Sequence, residues 1–256
     1  NVDRALFEKK NMLITFGGAF SNHILATAAY AKKKNIDCLA IVRGEEYSEL
    51  NPLLALAKEY GMNFCFVSRK EYAKRNDNNY ISELIRKYKK AFIVPEGGNN
   101  KLGVLGAEEI LETQDKSFDY IICPIGTGAT LSGIVNSSNR SQKVIGINCI
   151  NDTKDINKNI SQKTNKNNWE IINEFNFGGF AKFDNLLTEY LKKFKLNYKI
   201  TLDLNYTTKM FFGFEKLIER RYFHRKSKVL LIHTGGTYGN LGFNYLYDLD
   251  LPHESN

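Results

Sequence analysis

The chain has 256 residues, of which 43% are hydrophobic and 25% charged, enough apolar material for one large domain or two small ones. No apolar run approaches the roughly 20 residues that span a bilayer. Residues 1–10 are polar and charged, unlike a secretory leader. A cytoplasmic protein with no membrane partner is expected. The formal net charge of +8 raises nucleic acid as a partner. The lysines are scattered, however, often beside asparagine as in Asn157-Lys158-Asn159, and no basic helix with interleaved aromatics emerges. A solvated Lys- and Asn-rich surface is expected, and no nucleic-acid partner. Cys38, Cys65, Cys123 and Cys149 sit singly in apolar runs. They read as buried free thiols of a reducing compartment, not as a disulfide framework or a metal site.

Ala5, Leu6 and Phe7 read as part of a helix with no convincing cap before it, so a segment upstream of Asn1 is expected. Strands are then predicted at residues 12–16, 38–42, 64–67, 91–95, 120–124 and 144–150. Helices are predicted between them at 22–34, 52–60, 80–88, 105–112 and 130–137. This alternation predicts an α/β protein of mainly parallel sheets covered by helices. Residues 151–168 are polar and read as a surface excursion. Two more helices, 184–194 and 210–222, precede a last strand at 229–233.

Open α/β sheets bind ligands at the C-terminal ends of strands. Four loops there stand out: Gly17-Gly18-Ala19-Phe20-Ser21-Asn22-His23, Glu96-Gly97-Gly98-Asn99-Asn100, Ile125-Gly126-Thr127-Gly128-Ala129-Thr130 and His233-Thr234-Gly235-Gly236-Thr237. In the third, small residues let the backbone approach an anion, and the N–H groups at a helix start point at it. Phosphate is the natural guest, although a plain tight turn has the same composition. Neither the dinucleotide fingerprint nor the Walker pattern is present. The Ser21-Asn22-His23 loop has the same geometry, and its N–H groups suit a carboxylate. Taken alone it reads equally as a helix cap. His233 reads as a packed, satisfied residue, and Thr207 as a helix-start residue.

In this order, GGAFSNH, PEGGNN, PIGTGAT, FGGFAK (Phe177 to Lys182), LDLNYTTKM (Leu202 to Met210) and HTGG resemble the D-cysteine desulfhydrase / 1-aminocyclopropane-1-carboxylate deaminase family. That family belongs to the fold-type II, tryptophan-synthase-β-like pyridoxal-phosphate enzymes. The resemblance covers nearly the whole chain and is weakest over 151–168. It implies two three-layer α/β domains with pyridoxal 5'-phosphate between them, a small amino acid as substrate, and a homodimer. The strand–helix rhythm divides the chain into a smaller domain at residues 1–92, with the Ser-Asn-His loop, and a larger one at 93–256, with the phosphate loop and Tyr206.

By resemblance, Gly126, Thr127, Gly128, Ala129 and Thr130 hold the cofactor phosphate, and Asn22 lies near the phenolic oxygen. Ser21, Asn22 and His23 receive the substrate carboxylate. Tyr206 sits over the substrate near the leaving group, with Phe180 beside the substrate. Thr207 faces the pyridine nitrogen, and His233, Thr234, Gly235 and Gly236 close the pocket. Ser21 and Tyr206 are the catalytic candidates.

The family has two chemistries. One eliminates sulfide from D-cysteine, giving pyruvate and ammonia. The other opens a cyclopropane ring, giving 2-oxobutanoate and ammonia. Deaminases of this family typically carry Glu where this chain has Thr207, and desulfhydrases carry Thr. The family usually has Tyr where this chain has Phe180, and in deaminases that Tyr is close to the substrate, so the desulfhydrase is expected. The family's Schiff-base lysine lies in an Asn-Lys-x-Arg-Lys segment that matches positions upstream of Asn1. A shell that binds cofactor or amino acid without chemistry is the competing expectation.

Overall fold

The computed structural model describes residues 1–45, 49–151 and 153–254. The chain divides into two units, Asn1–Asn100 and Lys101–Asn256. In the first, α1 (Val2–Phe7) leads into β1 (Met12–Gly18), α2 (Asn22–Lys34), β2 (Asp37–Arg43), α3 (Pro52–Glu59), β3 (Met62–Val67), α4 (Arg69–Tyr72), α5 (Asn78–Lys87) and β4 (Ala91–Val94). All strand pairs are parallel, in the order β3-β2-β1-β4. The first sheet reads apolar because both of its faces are covered. Ile14, Phe16, Leu39 and Ile41 pack with Tyr80, Ile81 and Leu84 of α5, while α2 packs on β1 and β2.

The second unit begins with α6 (Lys101–Glu108), then β5 (Tyr120–Ile125), α7 (Ala129–Ser137), β6 (Lys143–Asn148), α8 (Thr153–Ser161), β7 (Trp169–Ile172), α9 (Asn185–Tyr198), α10 (Thr207–Glu219), β8 (Val229–Leu231) and α11 (Gly239–Tyr247). Its sheet is again all parallel, in the order β7-β6-β5-β8. Alternation along β5 divides the core in two. Ile121, Cys123 and Ile125 join Leu131, Ile134 and Val135 of α7. Tyr120 and Ile122 join Phe175, Met210 and Leu217 on the other face. Each fully buried Leu or Ile contributes about 1.5–3 kcal/mol.

Residues 151–168 are not a simple surface excursion. Their two apolar residues, Ile156 and Ile160, lie four apart on α8 and are buried against the β5–α7 core. That spacing sets both on one helix face. The helix expected at 105–112 starts instead at Lys101, directly after the PEGGNN turn. It is held by close packing on α7, where a Cβ on Gly133 would lie 2.5 Å from Ala107 Cβ. Strand β7 and helix α11 were not expected. All four cysteines are free.

Candidate active site

Both sheets reverse direction at their first strand. The chain runs β1 to β2 to β3 and returns beside β1 as β4; the second unit does the same with β5 and β8. Ligands bind at such switch points, beyond the strand C-termini. The four loops singled out in the sequence follow β1, β4, β5 and β8, so each unit has two of them at its switch point.

After β1, Ser21 is the N-cap residue of α2, but its side chain makes no cap hydrogen bond. The first amides of α2 therefore have no capping oxygen from Ser21. Gly17 permits the sharp entry, since a Cβ there would lie 2.7 Å from Ile24 Cδ1 and 2.9 Å from Ser21 Cβ. Asn51 Nδ2 donates to Ala19 O at 3.0 Å and fixes the loop from α3. Asn22 Oδ1 is buried with no partner among the described residues.

His23 is turned inward. Its Nε2 lies 2.7 Å from Thr15 Oγ1, and the single hydrogen of Thr15 goes to Val94 O at 2.9 Å. The imidazole must therefore be the donor, with the proton on Nε2. Burial lowers its pKa to about 4 from 6.5, against a smaller upward pull from Glu96. The ring is neutral, so what His23 can offer an anion is its backbone N–H. Glu96 itself accepts from Tyr72 Oη (2.8 Å) and Arg75 Nε (2.7 Å).

After β5, Gly128 caps α7 at φ +89°, with no side-chain cap bond. A Cβ on Gly128 would press Ile160 at 3.1 Å, so α8 supports this loop from behind. A Cβ on Gly126 would meet Tyr206 Cε1 at 3.1 Å and its hydroxyl at 3.3 Å. The Tyr206 ring thus lies directly on the loop.

Tyr206 is placed by a carboxylate that sequence reasoning missed. Buried Asp203 accepts from the backbone N–H groups of Asn205, Tyr206 and Thr207 at 3.0, 3.0 and 2.9 Å. It also accepts from Thr207 Oγ1 at 2.8 Å. Burial pushes its carboxyl up while these bonds pull it down. Asp203 therefore closes the N-terminus of α10, which starts three residues before the expected 210. Thr207 is fully buried, and its hydroxyl hydrogen goes to Asp203.

Lys209 was likewise missed as a site residue. Its side chain is fully buried. Its Nζ donates to Gly179 O (2.7 Å), Asn176 O (2.9 Å) and Cys149 O (3.3 Å). Burial lowers its pKa to about 8, opposed by Cys149 and Asp203. Three carbonyls match the three hydrogens of an ammonium. The sequence signal was a single lysine between Thr207-Thr208 and the apolar run Met210 to Phe214. The FGGFAK loop it touches places Phe180 against Tyr206, ring centroids 6.3 Å apart.

After β8, His233 Nε2 lies 2.9 Å from Thr201 O, and its Nδ1 accepts the Gly235 N–H at 3.1 Å. Both ring nitrogens are used, as expected, but His233 is exposed and not packed. Gly235 and Gly236 take φ +73° and +83° to make the turn.

Each unit by itself offers groups that suit a part of pyridoxal phosphate. The glycine-started α7 presents backbone amides uncapped by any side chain, which suits a phosphate. The unpartnered, buried Asn22 amide oxygen marks a polar guest near α2. The profile of the family described as "Pyridoxal-phosphate dependent enzyme" matches residues 3–235, and the chain belongs to that family. It is a pyridoxal-phosphate-dependent enzyme. The chain is 29% identical to a "Putative 1-aminocyclopropane-1-carboxylate deaminase" of Thermotoga maritima, over 92% of this chain and 80% of that one. It is 28% identical to the "Bifunctional D-cysteine desulfhydrase/1-aminocyclopropane-1-carboxylate deaminase, mitochondrial" of Arabidopsis thaliana, over 92% of this chain and 66% of that one. Among solved structures, an ACC deaminase homologue superposes with a TM-score of 0.81 at 25% identity, covering 97% of this chain and 81% of that one.

Proposed function

We propose that the protein is a lyase acting on D-cysteine, converting it with one water to pyruvate, ammonia and hydrogen sulfide. The observation that carries this choice is the state of Thr207. Its one hydroxyl hydrogen goes to Asp203 in a fully buried setting, so Thr207 has no proton for a pyridine nitrogen. A weaker electron sink suits loss of a good leaving group better than the opening of a carbon ring. Phe180, lacking a hydroxyl, favours the same choice.

Bound pyridoxal phosphate supplies the electron sink for loss of the Cα proton. The amides of Gly126 to Thr130 hold its phosphate, and Thr234 and Gly235 close on it. Asn22 takes the phenolic oxygen. The Ser21 hydroxyl and the backbone N–H groups of Asn22 and His23 receive the substrate carboxylate. Tyr206 and Phe180 form the wall beside the leaving group. Opening of the cyclopropane amino acid is the second reading, favoured by the name of the Thermotoga maritima relative. We place the enzyme in the cytoplasm, in line with four free cysteines, and as a homodimer, in line with the family resemblance. Among the described residues no helix is long and apolar enough to cross a membrane.

The test is an assay of the cofactor-loaded protein, expressed from its natural gene, with D-cysteine, L-cysteine and the cyclopropane amino acid side by side. Sulfide and pyruvate from D-cysteine are expected, with L-cysteine poor. Clear 2-oxobutanoate from the cyclopropane substrate, without sulfide from D-cysteine, would reverse the choice.

A further inference from the structure

The FGGFAK loop is an unusual piece of backbone. Phe177, Gly178, Gly179 and Ala181 all have positive φ, at 52°, 89°, 111° and 57°. Two of these are not glycine, and left-handed backbone there is strained unless surroundings fix it. The surroundings come from the segment around Tyr206. Lys209 Nζ binds the carbonyls of Asn176 and Gly179, on the two sides of the loop's glycines. Asn205 Oδ1 accepts the N–H of Ala181 at 2.8 Å. Asn205 and Lys209 flank Tyr206 in sequence, and the three bonded atoms bracket Phe180. Phe180 itself remains 41% exposed, so its own packing does not hold it.

We propose that Lys209, assisted by Asn205, is a positioning residue: it folds the FGGFAK loop so that Phe180 stays beside Tyr206 and completes the substrate wall. The proposal rests on the reading that Phe180 and Tyr206 face the substrate.

Two readouts test it. Lys182, at the end of the loop, is exposed and is a trypsin site. In Lys209→Met, cleavage after Lys182 should rise by about tenfold or more relative to cleavage elsewhere, because a locally opened segment is cut in proportion to its open population. Asn205→Ala should shift the same site in the same direction. It serves as the deciding variant should Lys209→Met fail to fold. In the loaded enzyme both variants should raise KM for D-cysteine more than they lower kcat, with pyridoxal-phosphate retention on dialysis unchanged. Unchanged cleavage after Lys182 overturns the proposal. So does a uniform rise at every site that tracks a lower urea midpoint, because that marks a merely structural lysine. If D-cysteine is not turned over even by the parent protein, the functional reading fails, and the proteolysis still decides whether Lys209 holds the loop.

Discussion

The two units share one topology yet equip it differently. Each has four parallel strands with the first strand inside the sheet, and each starts a helix at that strand's C-terminal end without a side-chain cap. Four other helices are side-chain capped, Asn51, Ser68, Asp77 and Asp184 accepting first-turn amides, whereas α1, α10 and α11 start without such a bond from their N-cap residues. What sets α2 and α7 apart is that their uncapped starts lie at the C-terminal end of the first strand of a sheet. In the second unit the loop is built of small residues that leave the backbone amides accessible beside the Thr127 and Thr130 hydroxyls, which suits a phosphate. In the first it carries Ser21 and Asn22, side chains that can recognise an orientation. On the proposed function, one arrangement of strands yields an anion cradle or a recognition loop, depending on a few residue types.

The sharpest way to break this contrast is Gly126→Val. The added side chain enters space held by Tyr206 and spoils the close approach of backbone to phosphate. Pyridoxal-phosphate affinity should fall by about 100-fold, or about 2.7 kcal/mol. Equilibrium dialysis measures this directly. Undiminished affinity would mean that the phosphate sits elsewhere.

The first unit should show its side-chain character in its pH dependence. Folded His23 stays neutral down to about pH 4, whereas the unfolded chain takes up the proton near 6.5. Between those values the unfolded state binds more protons, so stability falls as the pH falls. The stabilisation is complete above 6.5 and is lost toward 4. It amounts to at most about 3 kcal/mol, less where solvent reaches the ring. Urea midpoints at about pH 7 and about pH 4.5 should differ by much of this amount, and His23→Gln should flatten the difference. An equal acid loss in the variant would assign it to other groups.

Much of the fold was legible because parallel strands buried on both faces leave continuous apolar runs, as in Leu13 to Phe16 and Tyr120 to Ile125. The four loops were legible as glycine-rich turns after those runs. Helix α8 was hidden because two isoleucines four apart are a thin stripe in a polar background. Asp203 and Lys209 were hidden for a different reason: charged residues read as surface, and only tertiary structure shows a carboxylate with four donors or an ammonium with three carbonyls. His23 looked like an anion ligand in sequence. The position of Thr15, with its hydrogen committed to Val94, puts a proton on Nε2, and burial keeps the ring neutral; neither is visible in the sequence.

The finest test of the contrast compares two helix starts within the first unit. Asn51 accepts from Leu53 and Leu54 at 3.0 and 3.2 Å and donates to Ala19. Asn51→Ala should therefore cost about 2 kcal/mol of stability and loosen the Ser21 loop. Ser21 makes no cap bond, so Ser21→Ala should change stability by less than about 0.5 kcal/mol. Its effect belongs in turnover: one lost hydrogen bond to the substrate carboxylate should cost about 1–3 kcal/mol in kcat/KM, with cofactor affinity unchanged. Paired urea melts and kinetics separate the two roles. Similar stability losses in both variants, with turnover intact in Ser21→Ala, would make Ser21 an ordinary cap and confine the contrast to the second unit's glycine loop.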